Sequence, residues 1–378
     1  MAKQNEFTLI DLFSGAGGLS EGFKKEGFEP ILGVEIDPYA ARTYEKNHGH
    51  ALQCDIRDLS VSKLKKITGR KVNVISAGPP CQAFSSVAIA KLRSLNKSTT
   101  TRNPLNKLYQ EVLRIVKGLE PDFVVMENVG RMFSIGDGAI KKEIEKQLKN
   151  KYNVTFYYEN VADLGIPQAR KRGLLIANKL GVENPVFPKT HFNPTSSTYK
   201  RGQKKHITVK EAIHDLPRIQ SGGGNELMEY RKIRNLTDYE KERRHSSRYV
   251  INHTARNHSD RDKKIFKKLL PGQRISDLPS KYNPYRKDIF PDKIKKQYWD
   301  KPSSTILAHL SKDGLMFIHP DSSQNRTFTP REAARLQSFD DTFVFEGPRT
   351  QQYLQIGNAV PPLFAQTVAR EIYSILKN

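Results

Sequence analysis

Residues 72–86 constrain the fold of this chain more than any other stretch. The apolar, β-branched run from Val72 to Ala77 is typical of a buried strand, and it stops at Gly78-Pro79-Pro80, where neither a helix nor a strand ladder continues easily. Cys81 therefore follows the carboxyl end of a strand, where ligands of open α/β sheets collect, and is a candidate nucleophile. The alternative is a structural cysteine, since most free cysteines are small buried hydrophobic residues.

A strand, a glycine-rich turn and a helix open the chain. Residues 7–13 are predicted as a buried strand, followed by Ser14-Gly15-Ala16-Gly17-Gly18 and a helix over 19–26. The turn is not a GxGxxG pattern, but its glycines would let backbone approach a nucleotide closely. Glu35 ends the second strand 20 residues after Gly15, the spacing at which an acid holds ribose hydroxyls. Alternatively, Glu35 belongs to the N-terminal region of the next helix.

Two further acids follow predicted strands. Asp55 and its apolar neighbour Ile56 would suit the amine and the ring of adenine. Glu127 ends a buried strand over 121–127, at the same sheet edge as Cys81. It would be a proton donor if burial raises its pKa, or else it caps the following turn.

Arg170 and Arg172 lie two residues apart on a segment predicted to be extended, before a strand over 173–177. Their side chains are therefore expected to point the same way and to suit a phosphate or a base edge. The alternative is an edge strand protected by charge. Helices are also predicted over 104–118 and 137–150.

The charge is strongly basic and unevenly distributed. The 378 residues carry a net charge of +23, and residues 185–325 hold 29 Lys and Arg against 15 Asp and Glu. Such an excess indicates a polyanionic partner, most often nucleic acid. Eight of the ten histidines lie in this region, without a cysteine, so we interpret them as polar surface or phosphate contacts and predict no metal site.

The composition and the periodicity of the sequence change near residues 184 and 326. Between these positions we predict only a short helix and two strands, and after them a helix, a turn and a closing helix. In chain order these elements are predicted at 260–270, 304–308, 315–319, 330–337, 352–362 and 363–376.

The composition favours a cytosolic protein. No run of about 18 apolar residues exists and the N-terminus lacks the apolar core of a signal peptide. The two cysteines, Cys54 and Cys81, are 27 positions apart and cannot form a metal cluster by themselves, which fits a reducing compartment with both thiols free.

Six motifs, taken in order, resemble the cytosine-5 DNA methyltransferase family. They are Asp11-Leu12-Phe13-Ser14-Gly15-Ala16-Gly17-Gly18, Gly78-Pro79-Pro80-Cys81-Gln82, Glu127-Asn128-Val129, Gln168-Ala169-Arg170-Lys171-Arg172, Thr329-Pro330-Arg331-Glu332-Ala333-Ala334-Arg335-Leu336-Gln337 and Gly357-Asn358-Ala359-Val360-Pro361. One departure is Asp340, where the family usually has proline.

The resemblance implies an α/β fold, with a Rossmann-like S-adenosylmethionine-dependent sheet and a smaller, irregular target-recognition domain. The implied division is a catalytic and cofactor-binding domain over 1–184, a target-recognition domain over 185–325, and a C-terminal segment over 326–378 that completes the catalytic domain.

The resemblance also implies the site. S-adenosylmethionine would be the methyl donor, leaving S-adenosylhomocysteine, and the cofactor residues would be Phe13, Ser14, Gly15, Gly17, Gly18, Glu35, Ile36, Asp55, Ile56, Pro80, Leu108, Asn358 and Val360. Cys81 would add to C6 of a flipped-out cytosine while Glu127 supplies a proton or hydrogen bond to N3. Arg172 would hold the cytosine carbonyl, and Arg170 would support the loop or the adduct.

Three other functions compete with this one. They are an RNA (transfer RNA) cytosine-5 methyltransferase on the same scaffold, a non-catalytic DNA-binding protein, and an NAD-dependent enzyme. A region of about 140 residues for reading bases favours duplex DNA. We expect a monomer that acts on double-stranded DNA, with no membrane contact and with a separately acting restriction endonuclease as cognate partner.

Overall fold

A computed structural model describes residues 6–80, 107–282 and 294–378. The chain divides into two compact units. The first, here called the sheet unit, comprises Met1–Val161, Lys171–Pro188 and Val360–Asn378. The second, here called the basic unit, comprises Ala162–Arg170 and Lys189–Ala359.

The described residues form strands and helices in the following order. The strands are β1 (Phe7–Leu12), β2 (Phe28–Glu35), β3 (Ala51–Gln53), β4 (Val74–Ala77), β5 (Phe123–Asn128), β6 (Asn153–Asn160), β7 (Gln168–Ala169), β8 (Lys171–Asn178), β9 (His191–Phe192), β10 (Lys204–Lys205), β11 (Gly224–Glu229), β12 (Tyr249–Thr254) and β13 (Ser303–Ser304). The α-helices are α1 (Gly18–Lys25), α2 (Pro38–His48), α3 (Val61–Thr68), α4 (Tyr109–Leu119), α5 (Arg131–Leu148), α6 (Val209–Ile213), α7 (Asp238–Arg244), α8 (Asp260–Lys268), α9 (Pro330–Leu336), α10 (Arg349–Asn358) and α11 (Pro362–Lys377).

The sheet unit is built on seven strands in the order β3-β2-β1-β4-β5-β8-β6. The first five are parallel, and β8 runs antiparallel to both of its neighbours. All residues of β4 and β5 are buried, as expected for central parallel strands covered on both faces. The predicted α/β fold with a mainly parallel sheet is confirmed.

The register brings the carboxyl ends of the central strands to one edge. Leu12 of β1 pairs with Val34 of β2 and with Ala77 of β4, and Ala77 pairs with Met126 of β5. The residues that directly follow these four positions therefore emerge side by side. They are the glycine-rich turn, Glu35, the Gly78 loop and Glu127, which are the predicted site segments.

Local sequence explains where the helices begin. The Asp37 carboxylate caps α2 by accepting hydrogen bonds from two backbone N–H groups, and Pro38 occupies the first turn. In α9, Thr329 and Glu332 form a reciprocal capping box around Pro330. No helix within the described ranges is long and apolar enough to cross a membrane.

Buried charge organises the basic unit. All seven residues of α9 are buried, and the Arg335 guanidinium bonds both the Asp215 carboxylate at 3.1 Å and the Asp341 carboxylate at 2.6 Å. Arg326 forms a second buried pair with Glu332 at 2.7 Å. These contacts lie within the basic unit, which includes residues 326–359. The division into domains that the resemblance implies stays a prediction.

Several predicted elements in the second half were wrong. Residues 315–319 were predicted as a strand, but Leu315–Phe317 form a 3₁₀-helix that Gly314 initiates with a φ of 72°. The strand predicted over 304–308 is limited to β13, and a 3₁₀-helix begins at Ala308. Most of the turn predicted over 352–362 belongs to α10.

Three of the eight histidines predicted at the surface are also buried. They are His253, His258 and His319, with exposed fractions of 0%, 7% and 2%. Burial lowers the pKa of His253 and His258 to about 4, so both are neutral near pH 7 and pack as polar core residues. His253, for example, bonds the Thr329 hydroxyl and the Pro217 carbonyl.

Candidate active site

The glycine-rich turn lies between β1 and α1. Phe13, Gly15 and Gly17 have positive φ values of 55°, 54° and 93°, which explains the two glycines. The Ser14 backbone N–H donates to the Val34 carbonyl, whereas its buried hydroxyl has no hydrogen-bond partner within the described ranges. A Cβ on Gly15 would meet no described atom within 4 Å, so among the described residues the space beside this backbone is open.

Glu35, at the end of β2, accepts a hydrogen bond from the glycine-rich turn. One carboxylate oxygen accepts from the Gly15 N–H at 2.8 Å, and the other accepts from the N–H groups of Ile36 and Asp37, each at 2.8 Å. Burial raises the pKa of Glu35, and these three bonds oppose that rise. The predicted ribose acid is thereby fixed against the turn, and the Ile36 side chain beside it is 60% exposed.

Asp11, beneath the turn, is a residue whose role the sequence did not single out. One carboxylate oxygen accepts from the Ser20 hydroxyl and the other from the Ser76 hydroxyl, both at 2.8 Å, and the Tyr44 hydroxyl lies 2.9 Å from that of Ser20. Burial raises the pKa of Asp11 to about 7. Asp11 therefore connects β1 with α1 and β4. The sequence signal that could have indicated this role is a polar residue inside a strand predicted to be buried.

The next predicted cofactor residues lie after β3. Asp55 accepts two hydrogen bonds from the Arg57 side chain, which lower the pKa of Asp55 to about 2. Ile56 and Leu108 are 4% and 9% exposed and belong to one hydrophobic cluster. Asp55 stays charged across the physiological range beside an apolar surface, which is compatible with its predicted role.

The loop after β4 is held against β5. Gly78 donates its N–H to the Leu12 carbonyl at 3.2 Å, and the Asn128 side chain donates to the Pro79 carbonyl at 2.9 Å. Pro80 is half-buried. Cys81 lies outside the described residues; the described chain before it ends at Pro80, after β4, which pairs with β5. Asn128 is the residue that ties the two predicted catalytic segments together.

Glu127 and Arg172 form an ion pair on neighbouring strands. The Glu127 carboxylate lies 2.8 Å from the Arg172 guanidinium, and both side chains are about nine-tenths buried. The antiparallel pairing of β5 with β8 sets this contact, since Glu127 is opposite Leu174. A carboxylate beside an arginine at a strand end can exchange a proton or a hydrogen bond with a polar ligand.

The side chains of Arg170 and Arg172, predicted to point the same way, contact different partners. Arg170 is 2% exposed and donates to the carbonyls of Ile306 and Ala359 at 2.9 and 3.0 Å. These bonds lie within the basic unit, whereas Arg172 belongs to the sheet unit. Arg170 therefore anchors backbone, and its predicted support of the loop or adduct stays a prediction.

The last two predicted cofactor residues fall in different units. Asn358 is exposed at the end of α10 in the basic unit, and Val360 is 7% exposed in the sheet unit. Gly18 is the first residue of α1. Across the ranges described, no cluster of three or more histidine, cysteine or acidic residues could hold a metal ion. Cys54 is half-buried and unpaired by disulfide.

Comparison with known proteins identifies the family. A family model described as C-5 cytosine-specific DNA methylase matches residues 7–374. The chain belongs to this family. The match spans both units, so this methylase carries the family pattern over almost its whole length, and the predicted resemblance and enzyme class are confirmed.

Relatives with similar sequences cover nearly all of this methylase. The type II methyltransferase M1.HphI of Haemophilus parahaemolyticus is 36% identical over 98% of this chain and 88% of its own length. The type II methyltransferase M.DdeI of Desulfomicrobium norvegicum is 34% identical over 98% and 89%.

Two solved structures share the fold. A proposed DNA modification methyltransferase encoded within an E. coli prophage matches with a TM-score of 0.76 and 23% identity, over 99% of this chain and 100% of that one. The Entamoeba histolytica methyltransferase EhMeth matches with a TM-score of 0.61 and 18% identity, over 99% and 100%.

Proposed function

We propose that this methylase transfers a methyl group from S-adenosylmethionine to C5 of a flipped-out cytosine in a specific short duplex sequence, through a covalent Cys81–C6 adduct. The observation that carries the proposal is the sheet edge itself. There, Asn128 holds the Pro79 carbonyl while the adjacent Glu127 pairs with Arg172, so that the segment entering Cys81 and a carboxylate lie on neighbouring strands.

The residues of the sheet unit fit the proposed cofactor. The unpartnered Ser14 hydroxyl and the space beside Gly15 leave room for a polar ligand against the turn. Glu35 would hold the ribose hydroxyls, and Asp55 with Ile56 would meet the adenine edge, with Phe13 against its ring. Gly17, Gly18, Ile36, Pro80, Leu108 and Val360 complete the proposed binding set of the sheet unit, and Asn358 of the basic unit stays a predicted cofactor residue. When bound, S-adenosylmethionine supplies an electrophilic methyl group.

Cytosine C5 is too weak a nucleophile to accept that methyl group unaided. In the proposed mechanism the Cys81 thiolate forms a bond to C6, and the electron pair of the C5–C6 double bond becomes available at C5. Glu127 gives a proton or a strong hydrogen bond to N3, and Arg172 holds the cytosine carbonyl. After methylation leaves S-adenosylhomocysteine, a base removes the C5 proton, the C5–C6 double bond re-forms as the C6–S bond breaks and the Cys81 thiolate leaves, and N3 returns its proton to Glu127.

The target base must leave the stack, because C5 of a paired cytosine is inaccessible to both groups. We assign recognition of the duplex to residues 185–325, where most of the positive charge lies. Residues 1–184 and 326–378 are assigned to catalysis and cofactor binding. The names of the relatives favour a type II restriction-modification enzyme, and a cognate endonuclease that acts separately is the proposed partner. We further propose a cytoplasmic monomer.

An RNA cytosine-5 methyltransferase is the nearest rival, since Cys81 and Glu127 would serve either substrate. The family match, to a DNA methylase, does not favour it. A labelled-methyl assay with plasmid DNA and with transfer RNA separates the two. We expect label in DNA alone, retained after digestion to 5-methylcytosine. Label in transfer RNA alone would contradict the proposal.

A further inference from the structure

A cationic groove in the basic unit has no role in the chemistry described above. It lies between the end of β11, the loop over 230–237, the C-terminus of α7 and the start of β12, and its volume is about 580 Å³. Its lining contains five cations, Arg231, Lys232, Arg234, Arg244 and Arg248, against the single acid Glu229. We call it the β11–α7 groove.

Two of the cations are held in place by buried partners. Arg244 lies over the Tyr230 ring at 3.8 Å and 3.6 Å from the Asp215 carboxylate. Tyr230 is 8% exposed, and its hydroxyl donates to the Asp341 carboxylate. Arg231 donates to the His214 carbonyl at 2.8 Å. The floor of the groove is therefore positively charged and preorganised.

The other three cations have no described hydrogen-bond or ion-pair partner. Lys232, Arg234 and Arg248 are exposed, and their side chains make no hydrogen bond or ion pair within the described part of the chain. Exposed cations near a charged floor repel one another unless an anion enters. This arrangement favours a ligand that carries several negative charges along its length.

We propose that the β11–α7 groove binds consecutive phosphates of the DNA backbone, and this proposal rests on duplex DNA being the substrate. Arginine and lysine are the side chains that contact phosphates most often, and such contacts set position without reading sequence. The described lining residues include no asparagine or glutamine, the amides that read adenine in the major groove. Arginine and lysine can also read guanine, so the proposal that the groove only orients the duplex is tested by comparing two duplexes of different sequence.

The test compares two pairs of exposed cations within the basic unit. The groove variant is Lys232→Ala/Arg234→Ala, and the matched control is Lys204→Ala/Lys205→Ala, whose side chains lie on β10 outside the groove. Fluorescence anisotropy measures affinity for a mixed-sequence duplex, a duplex with the methylated sequence and transfer RNA across a salt series. Circular dichroism checks that each variant is folded.

Each phosphate contact contributes about 0.9 to the slope of log affinity against log salt. We expect the groove variant to lose about 1.8 from the slope, equally on both duplexes, while the control keeps the wild-type slope. Methylation at limiting DNA should fall in the groove variant in proportion to its lost affinity for the duplex.

Four results would overturn the proposal. They are an unchanged slope, an equal loss in the control, a loss confined to transfer RNA, and a loss confined to the duplex with the methylated sequence, which would mean base reading. Failure of the proposed function itself would appear separately, as wild-type protein that methylates no DNA.

Discussion

Two acid–arginine pairs in this methylase have opposite surroundings. In the basic unit, Asp341 accepts two bonds from Arg335, both side chains are fully buried, and Tyr230 adds a further bond. In the sheet unit, Glu127 faces Arg172 alone among its described contacts, at the end of β5. The saturated carboxylate of Asp341 stabilises the fold, whereas we propose that Glu127, with Arg172 as its described ion-pair partner, acts on the substrate.

Replacing Glu127 should give the largest change in rate. We expect Glu127→Gln to lower the methylation rate by about 10²- to 10⁴-fold, because the amide cannot donate a proton to N3. Its melting temperature should stay within about 4 °C of wild type. Single-turnover methylation and calorimetry measure the two effects. Glu120→Gln, at an exposed ion pair, is the control and should change neither.

Replacing Asp341 should show the reverse pattern. Asp341→Asn leaves the buried Arg335 and Arg331 charges incompletely compensated, so the free energy of unfolding should fall by about 3–5 kcal/mol. The folded fraction should retain its methylation rate. Urea denaturation, with the exposed Asp238→Asn as control, measures the loss. A stable but inactive Asp341→Asn protein would break the comparison.

The raised pKa of Asp11 predicts that the free energy of unfolding depends on pH. Its pKa rises from 3.8 to about 7 on folding, so the native state binds the proton more tightly than the unfolded state. The contribution of Asp11 to the free energy of unfolding is fully present below pH 3.8 and is lost as the pH rises through about 7. Urea unfolding at pH 5 and pH 8 should show a decrease of about 1–3 kcal/mol that Asp11→Asn removes. The exposed Glu45→Gln should retain the decrease.

Variants of Glu35 and the nearby Asp37 should distinguish a loss of cofactor binding from a structural effect. Glu35→Gln weakens the proposed contact with the ribose, and we expect about a tenfold higher KM for S-adenosylmethionine, about 1.4 kcal/mol, with little change in kcat. Asp37→Asn changes only the cap of α2 and should leave KM unchanged. Initial-rate kinetics over a range of cofactor concentrations decide the matter. An equal KM increase in both variants would assign Glu35 a structural role.

The sequence predicted the sheet unit well, because hydrophobic periodicity and the residues that end a strand are local signals. The strand before Gly78, the glycine turn and Glu127 all lie where their apolar runs and breakers indicate. Asn128 and Asp11 could not be assigned roles in this way, since each acts through a partner from another strand, at Pro79 and at Ser76.

The basic unit was predicted poorly for a related physical reason. Its folding depends on buried charges whose partners are far apart in sequence, such as Arg335 with Asp215. Hydrophobic periodicity does not reveal such pairs, so the packing of α9 in the basic unit could not be predicted. The domain division came from the resemblance and stays a prediction. The three buried histidines were missed in the same way, because hydrogen bonds to distant groups compensate their burial.

Bisulfite sequencing shows whether the Cys81 thiol is required for methylation of cytosine in DNA. A plasmid is recovered from cells that express the wild-type methylase, the Cys81→Ala variant or the Cys54→Ala control, and every cytosine is scored. We expect protected cytosines within one short sequence for the wild type and for Cys54→Ala, and none for a folded Cys81→Ala protein. Wild-type protection by Cys81→Ala would contradict the proposed covalent adduct.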